Sequence, residues 1–401
     1  MARDLVIYCV AHQPRRLKLP AQPIPVGADI QDIERCVFDE PLNEKYLHKV
    51  ATWCYYPATE MYLDLVRHGF KMSIGFSISL LRQAEQWDSN LYDLFRKLVA
   101  HPNVELVNVE PYHSFLPVCD LPAFTKRMAK SRDDLNKIFG KKPVVTDTTE
   151  MLMSGGIYQA LNVAGYAGAF MDGRPWVMDW REPTHLYDMG KDLRLLTRHY
   201  NLSDDVGYRF SNKSWSGYPL FADTYAHWLR ETWGDFIVLA WDYETFGEHH
   251  SRDTGIFEFM KRFPGEMAKR HMNSLTPSEI ISKYSDRSSY LPLPVFPCTW
   301  AGDGGMGFFL GNVAQQAVFQ LMLMAYNKAL LTKDKRLIDI AEWMLQSDNL
   351  HLIQWFGRSG SEAEVSAYFT PQEWWRLGPN GIIWEMQQVY KNFINAMDAY
   401  L

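Results

Sequence analysis

Apolar, β-branched-rich runs recur along roughly the first half of the chain, at residues 5–10, 72–78, 104–109, 144–146 and 236–241, with helical patterns between them. That alternation limits the fold more than any other feature. Residues 44–68 read as one or two helices, and 91–99 and 124–139 carry apolar residues at i, i+3, i+4 and i+7. Strands alternating with helices imply a parallel sheet with right-handed crossovers, either open or closed into a barrel. The polar residues favour the barrel. His12-Gln13-Pro14, Glu110-Pro111-Tyr112-His113, Thr148-Thr149-Glu150 and Asp242-Tyr243-Glu244 all follow the C-terminal end of an apolar run. A TIM-type barrel carries its chemistry on that face, whereas a doubly wound sheet concentrates it at one switch point.

The last of these endings is the richest. Val238-Leu239-Ala240-Trp241 runs into Asp242 and Glu244, then Gly247, Glu248, His249 and His250. Residues i and i+2 of a strand share a face, so Asp242 and Glu244 share one surface if the strand continues that far. Two close carboxylates drive one pKa up and leave the other ionised, which suits an acid/base pair. An isolated D-x-E is more often a solvated turn after a buried strand, so the reading rests on the other segments beside it.

Bulk properties narrow the partner. The chain has 401 residues, enough for an α/β barrel and an appendage, and a net charge of -6 with no basic stripe, which argues against nucleic acid. Its 14 Trp, 21 Tyr and 22 Phe sit in many irregular segments as well as at core spacing. Aromatic rings offer flat faces to the C–H surfaces of sugars, a mild pointer to carbohydrate beside ordinary core packing. Cys9, Cys36, Cys54, Cys119 and Cys298 are scattered without C-x-x-C spacing, so neither a disulfide framework nor a zinc site is expected, and a reducing cytoplasm fits. The N-terminus shows no signal-type apolar segment, and no stretch approaches the length of a membrane span.

Thr276-Pro277-Ser278-Glu279 predicts a capping box that opens a helix. A proline-rich stretch at 290–297 breaks the pattern, and 312–331, 335–346 and 382–400 read as helices. A boundary near residue 285 follows, with a catalytic domain over 1–285 and a helical region over 286–401.

Taken in order, His12-Gln13-Pro14, Glu110 to Ser114, Thr148 to Met151, Asp242 to His249 and Phe308-Phe309-Leu310-Gly311-Asn312 resemble the five sequence regions of glycoside hydrolase family 57, in its α-amylase-type branch. Residues 202–211, 345–349 and 367–371 also resemble stretches of that branch, so the likeness covers nearly the whole chain. The resemblance implies an α/β fold, an incomplete (β/α)7 TIM-like barrel with a C-terminal helical region that helps close the cleft. It implies retaining chemistry on α-1,4-linked glucans of the starch, glycogen or maltodextrin type, without cofactor or metal. Glu150 falls at the family's nucleophile and Asp242 at its general acid/base. Retention requires two carboxyls about 5 Å apart across the scissile bond, one ionised and one protonated. Glu244 beside Asp242 is expected to raise the acid's pKa.

Substrate-binding roles are expected for His12, Gln13, Glu110, His113, Asp205, Glu244, His249, Trp300 and Phe309. Structural alternatives stand beside several of them: His12 as a satisfied buried histidine, Glu110 and His113 as loop-fixing groups, Asp205 and Arg209 as an ion pair, and Trp300 as core. One departure from the branch concerns Phe309, which stands where the pattern S-A-W-L-G-N carries Trp. A Phe there implies an aromatic subsite wall with less area and no N–H donor. The same covalent intermediate serves a 4-α-glucanotransferase, the runner-up to hydrolysis. A metal-dependent carbohydrate deacetylase using His12, His113, His249, His250 and Asp242 is a distant third, because the chain lacks tight H-x-x-x-H spacing.

Overall fold

The computed structural model describes residues 2–401. By contacts the chain divides into two units, one formed by residues up to Gln13, Tyr46–Pro111 and Leu121–Trp300, the other by Pro14–Lys45, Tyr112–Asp120 and Ala301–Leu401. The first unit therefore runs past the boundary expected near 285. Two segments from the N-terminal part of the chain fold with the C-terminal helices instead of with the sheet.

The first unit is an α/β fold on a mostly parallel sheet of ten strands. In chain order these are β1 (Asp4–Ala11), β2 (Met72–Phe76), β3 (Val104–Val107), β4 (Val145–Thr146), β5 (Gly168–Asp172), β6 (Leu186–Asp188), β7 (Arg194–Arg198), β8 (Phe236–Asp242), β9 (Asn273–Ser274) and β10 (Ser289–Tyr290). All eight residues of β1 are buried, and it pairs in parallel with β8, from Asp4↔Phe236 to Val10↔Asp242, and with β2, from Tyr8↔Ser73 to Ala11↔Phe76. Strands covered on both faces read as continuous apolar runs, which is why these three were legible. Five further parallel pairings bring in β3, β4, β5, β7 and the short β9, and β6 lies antiparallel against β7. The sheet does not close as a continuous ladder. Between β3 and β4 stands the isolated parallel bridge Asn108↔Thr146.

Inward-facing side chains at alternate positions fill the space the strands surround: Val6, Tyr8 and Val10 of β1, Val238 and Ala240 of β8, with Val145, Phe170 and Leu196. Gly75 of β2 makes this packing feasible. A Cβ there would lie 2.3 Å from Val109 and 2.9 Å from the Tyr8 hydroxyl, so only glycine admits the phenol.

β5 and β7 carry no signal strong enough to be read as strands. β5 opens on glycine, and β7 begins and ends with arginine, so neither presents an unbroken β-branched run. The expected capping box is present, with Thr276 and Glu279 bonded reciprocally at the start of helix Pro277–Tyr284.

The second unit is helical, its longest members being Val313–Thr332, Lys335–Met344 and Gly378–Ala396. Asn312 caps the first of these in a capping box with Gln315, while its amide donates to the carbonyls of Ile353 and Gln354. Among the described residues no helix is long and apolar enough to cross a membrane.

Candidate active site

β4 is two residues long, and beyond it the chain enters a 3-10 turn over Thr149–Met151. Glu150 and Met151 stand at φ 53° and 52°. Left-handed backbone costs a non-glycine residue about 1–3 kcal/mol and persists only where the surroundings over-determine it. They do so here. Thr148 Oγ1 donates to the Leu152 carbonyl at 2.7 Å, Thr299 Oγ1 to the Glu150 carbonyl at 2.6 Å, and Met153 and Cys298 exchange backbone bonds of 2.9 Å. These bonds tie residues 298–300 to the turn, which explains why the first unit extends to Trp300. The indole Nε1 of Trp300 donates to Oε2 of Glu150 at 2.8 Å. A donor on a carboxylate favours its ionised form, the state a nucleophile requires.

Behind Trp300 lies a buried ionic network that the sequence reading missed. Arg174 Nη2 donates to the Trp300 carbonyl at 2.5 Å, and the Arg198 guanidinium carbon lies 5.6 Å from the centre of the indole. Arg198 ends β7. Its Nε donates to the Ala240 carbonyl at 2.8 Å, Nη1 to Asp172 at 3.1 Å and Nη2 to Asp204 at 2.5 Å. Asp172 ends β5, is wholly buried, and accepts from Arg174 Nε through its other oxygen at 2.6 Å. Burial works against the charge on Arg198, but Asp204 and Asp172 outweigh it and lift its pKa above the ordinary value. Asp204 comes from the helix Tyr200–Gly207, which is pinned to β8 by a 3.1 Å bond from the Ala240 amide to Ser203 Oγ. One signal for these residues existed: Asp172 and Arg198, like Asp242, are charges that end short apolar strands.

At the end of β8 the chain leaves strand geometry immediately, in a 3-10 turn over Tyr243–Thr245. The expected shared face of Asp242 and Glu244 is therefore lost. The Asp242 side chain is 43 % exposed, with His249 Nδ1 3.9 Å from its Oδ2. Glu244 is buried and accepts from the Tyr55 hydroxyl at 2.5 Å and the His12 amide at 3.2 Å. Burial first, and then the charge of Asp242, push its pKa up to about 8. Here the expectation is corrected. The charge of Asp242 acts on a buried Glu244, whose own desolvation is the larger effect. Tyr55 reaches this position from a π-helical turn, Ala51–Tyr55, whose Trp53 carbonyl would lie 2.0 Å from a Cβ on Gly247. With φ at 114° as well, Gly247 has two reasons to be glycine.

A third carboxyl, absent from the sequence reading, links the two ends. Asp147, fully buried, accepts from the Tyr8 hydroxyl at 2.8 Å and from the Thr148 amide at 2.7 Å. Burial raises its pKa to about 7, and the charges of Glu150 and Asp242 both add to the shift. Glu150 and Asp242, on separate strand ends, are thus within electrostatic reach of one group.

The remaining expected residues fall on several elements. His12 lies just beyond β1 with Nδ1 2.8 Å from Ser77 Oγ, and Gln13 is buried with its amide donating to Tyr55 at 3.1 Å. Glu110 is wholly buried after β3. Asp205 is held by Arg209 at 2.8 Å four residues on, the ion pair expected as its structural alternative. His113 and Phe309 fold with the second unit. There His113 approaches Ser347 Oγ at 3.3 Å. Phe309 is completely buried, its ring 5.3 Å from Phe115 and 5.0 Å from Phe308. A subsite wall must be exposed, so Phe309 is corrected to a core residue; the short helix Gly307–Leu310 turns its ring inward. Of the imidazoles invoked for a metal site, His250 is buried against Ser211 at 2.8 Å, and burial lowers its pKa to about 4.

Residues 6–292 match the family profile described as Glycosyl hydrolase family 57. The chain is 33 % identical over 313 residues to a protein of Methanocaldococcus jannaschii described as "Putative alpha-amylase", covering 77 % of this chain and 66 % of that one. In fold it is similar to a 4-alpha-glucanotransferase from Thermococcus litoralis, with a TM-score of 0.66 at 16 % identity over 98 % of this chain and 60 % of the other. A branching enzyme from Thermococcus kodakaraensis gives a TM-score of 0.65 at 15 % identity, covering 100 % of this chain and 97 % of the other. The chain thus spans just under two thirds of the amylase-type relative and of the glucanotransferase.

Proposed function

The chain belongs to glycosyl hydrolase family 57 and is a glycoside hydrolase-type enzyme, and on that premise we propose that it cleaves α-1,4-glucosidic bonds of starch-, glycogen- or maltodextrin-type glucans with retention of configuration. The observation that carries the reading is the disposition of two carboxyls beyond separate strand ends of one sheet, Glu150 beside an indole N–H and Asp242 with a half-exposed side chain.

In the proposed first step a Glu150 oxygen bonds to the anomeric carbon while the glycosidic C–O bond breaks, and Asp242 gives its proton to the departing oxygen. Asp242 then takes a proton from water, whose oxygen displaces Glu150 from the sugar. If a sugar hydroxyl replaces that water, the same intermediate gives 4-α-glucanotransfer. The amylase-type relative supports hydrolysis as the first reading.

Incubation with maltoheptaose, with products separated by chromatography and their first-formed anomer read by NMR, tests the proposal. Hydrolysis with retention yields only shorter sugars, released as the α-anomer. A ladder of longer and shorter sugars assigns transfer instead. Glu150→Gln should remove activity by several orders of magnitude with an unchanged melting temperature. Retention of more than about a tenth of the rate would exclude Glu150 as nucleophile.

A further inference from the structure

The mechanism above uses two carboxyls, yet the interior of the sheet is built around a third. Asp147 stands directly after β4, three residues before Glu150, and its amide donates to the Asn108 carbonyl at 2.7 Å across the gap between β3 and β4. One carboxylate oxygen takes the Thr148 amide and the other the Tyr8 hydroxyl. Tyr8 is wholly buried and stacked on Phe170 with 4.2 Å between ring centres, and Gly75 leaves the space its hydroxyl occupies. A phenol and a carboxyl in an otherwise apolar interior cost desolvation energy that apolar side chains of similar size avoid. The groups bearing most on Asp147 are the Tyr8 phenol from β1, the Thr148 amide and Glu150 from its own turn and Asp242 from β8, whereas Val107, Val109 and Phe170 in the same core are apolar.

We propose that Asp147, held by Tyr8, is a positioning residue whose charge sets the proton balance between Glu150 and Asp242. The inference rests on the catalytic reading of that pair. Below neutral pH Asp147 carries its proton and adds no charge to the site. As it ionises, its negative charge opposes further loss of protons nearby and helps Asp242 keep the proton the leaving oxygen needs. The effect extends the working range of the general acid toward alkaline pH.

Asp147→Asn keeps the size of the side chain and an acceptor for the Thr148 amide while removing the charge. The readout is the pH profile of kcat/KM on a chromogenic aryl maltooligoside, with folding checked by circular dichroism. The basic limb of Asp147→Asn should move to lower pH by about half a unit or more, so that activity at pH 8 relative to pH 6 drops about threefold. Tyr8→Phe removes the bond that stabilises the ionised carboxyl, so Asp147 stays protonated to higher pH and the limb should move in the same direction. Profiles that superimpose on wild type after scaling would overturn the inference and leave Asp147 a purely structural group. If Asp147→Asn does not fold, the limb of Tyr8→Phe decides. Activity surviving in Glu150→Gln would instead sink the catalytic reading itself, a result separate from an unmoved limb.

Discussion

Trp300, expected among the substrate-binding residues, has its N–H on Glu150, its carbonyl on Arg174 and its ring beside Arg198. The residue joins the ionic network to the carboxylate that the proposed chemistry depends on. Trp300→Phe keeps an aromatic face and removes the donor. Glu150 then loses a bond to its charged form, so its pKa rises and the acid limb of kcat/KM should shift to higher pH, with a loss of about tenfold at the optimum. An unshifted limb would reduce Trp300 to packing. Asp242 invites a different test, because an acid matters only where the leaving group needs a proton. Asp242→Asn should abolish cleavage of maltooligosaccharides yet spare the first step with activated aryl glycosides, followed as a burst of the released phenol. Equal damage to both substrates would assign Asp242 another role.

At the scale of elements, the motif around Phe309 shows how a sequence match and a structural role diverge. Gly311 lies so close to the Gly307 carbonyl, 2.3 Å from a would-be Cβ, that a side chain there would clash, and Asn312 caps the following helix. The stretch starts a helix and buries a ring. Phe309→Ala should therefore lower stability by about 3–5 kcal/mol, as loss of a core Phe does, with kcat/KM preserved in the folded fraction. Calorimetry and kinetics on the same preparation check this, and an unchanged melting temperature with tenfold weaker kinetics would restore the subsite. The turn after β8 teaches the converse. Two carboxylates spaced i, i+2 predict a common face only while the strand lasts, and the 3-10 turn at Tyr243 sends Glu244 inward to Tyr55.

The whole molecule carries the cost of its buried acids. Asp147 and Glu244 have folded-state pKa values raised to about 7 and about 8, against ordinary values of 3.8 and 4.5. Between about pH 4 and pH 8 the native state thus holds more protons than the unfolded chain, so the contribution of these groups to stability falls as pH rises. The melting temperature should drop by a few degrees from pH 6 to pH 8.5, and Glu244→Gln should flatten the decline. A flat or rising wild-type curve would contradict the burial of these carboxyls in neutral form.

What the chain determined by itself was the part that depends on local pattern. Long apolar runs buried on both faces marked β1, β2, β3 and β8, and the polar residues following them marked the face that carries Glu150 and Asp242. Helical periodicity and a capping box marked the helices of the second unit and the one at Pro277. Tertiary structure alone decided which polar side chains share an environment. Arg198 and Asp172 end strands that lack an unbroken β-branched run, and their pairing joins residues 26 apart in the chain. Tyr8 looks like any core aromatic until the fold brings it to Asp147, 139 residues away. Such partnerships depend on distances between strand ends, and side-chain spacing along a sequence carries no information about those distances.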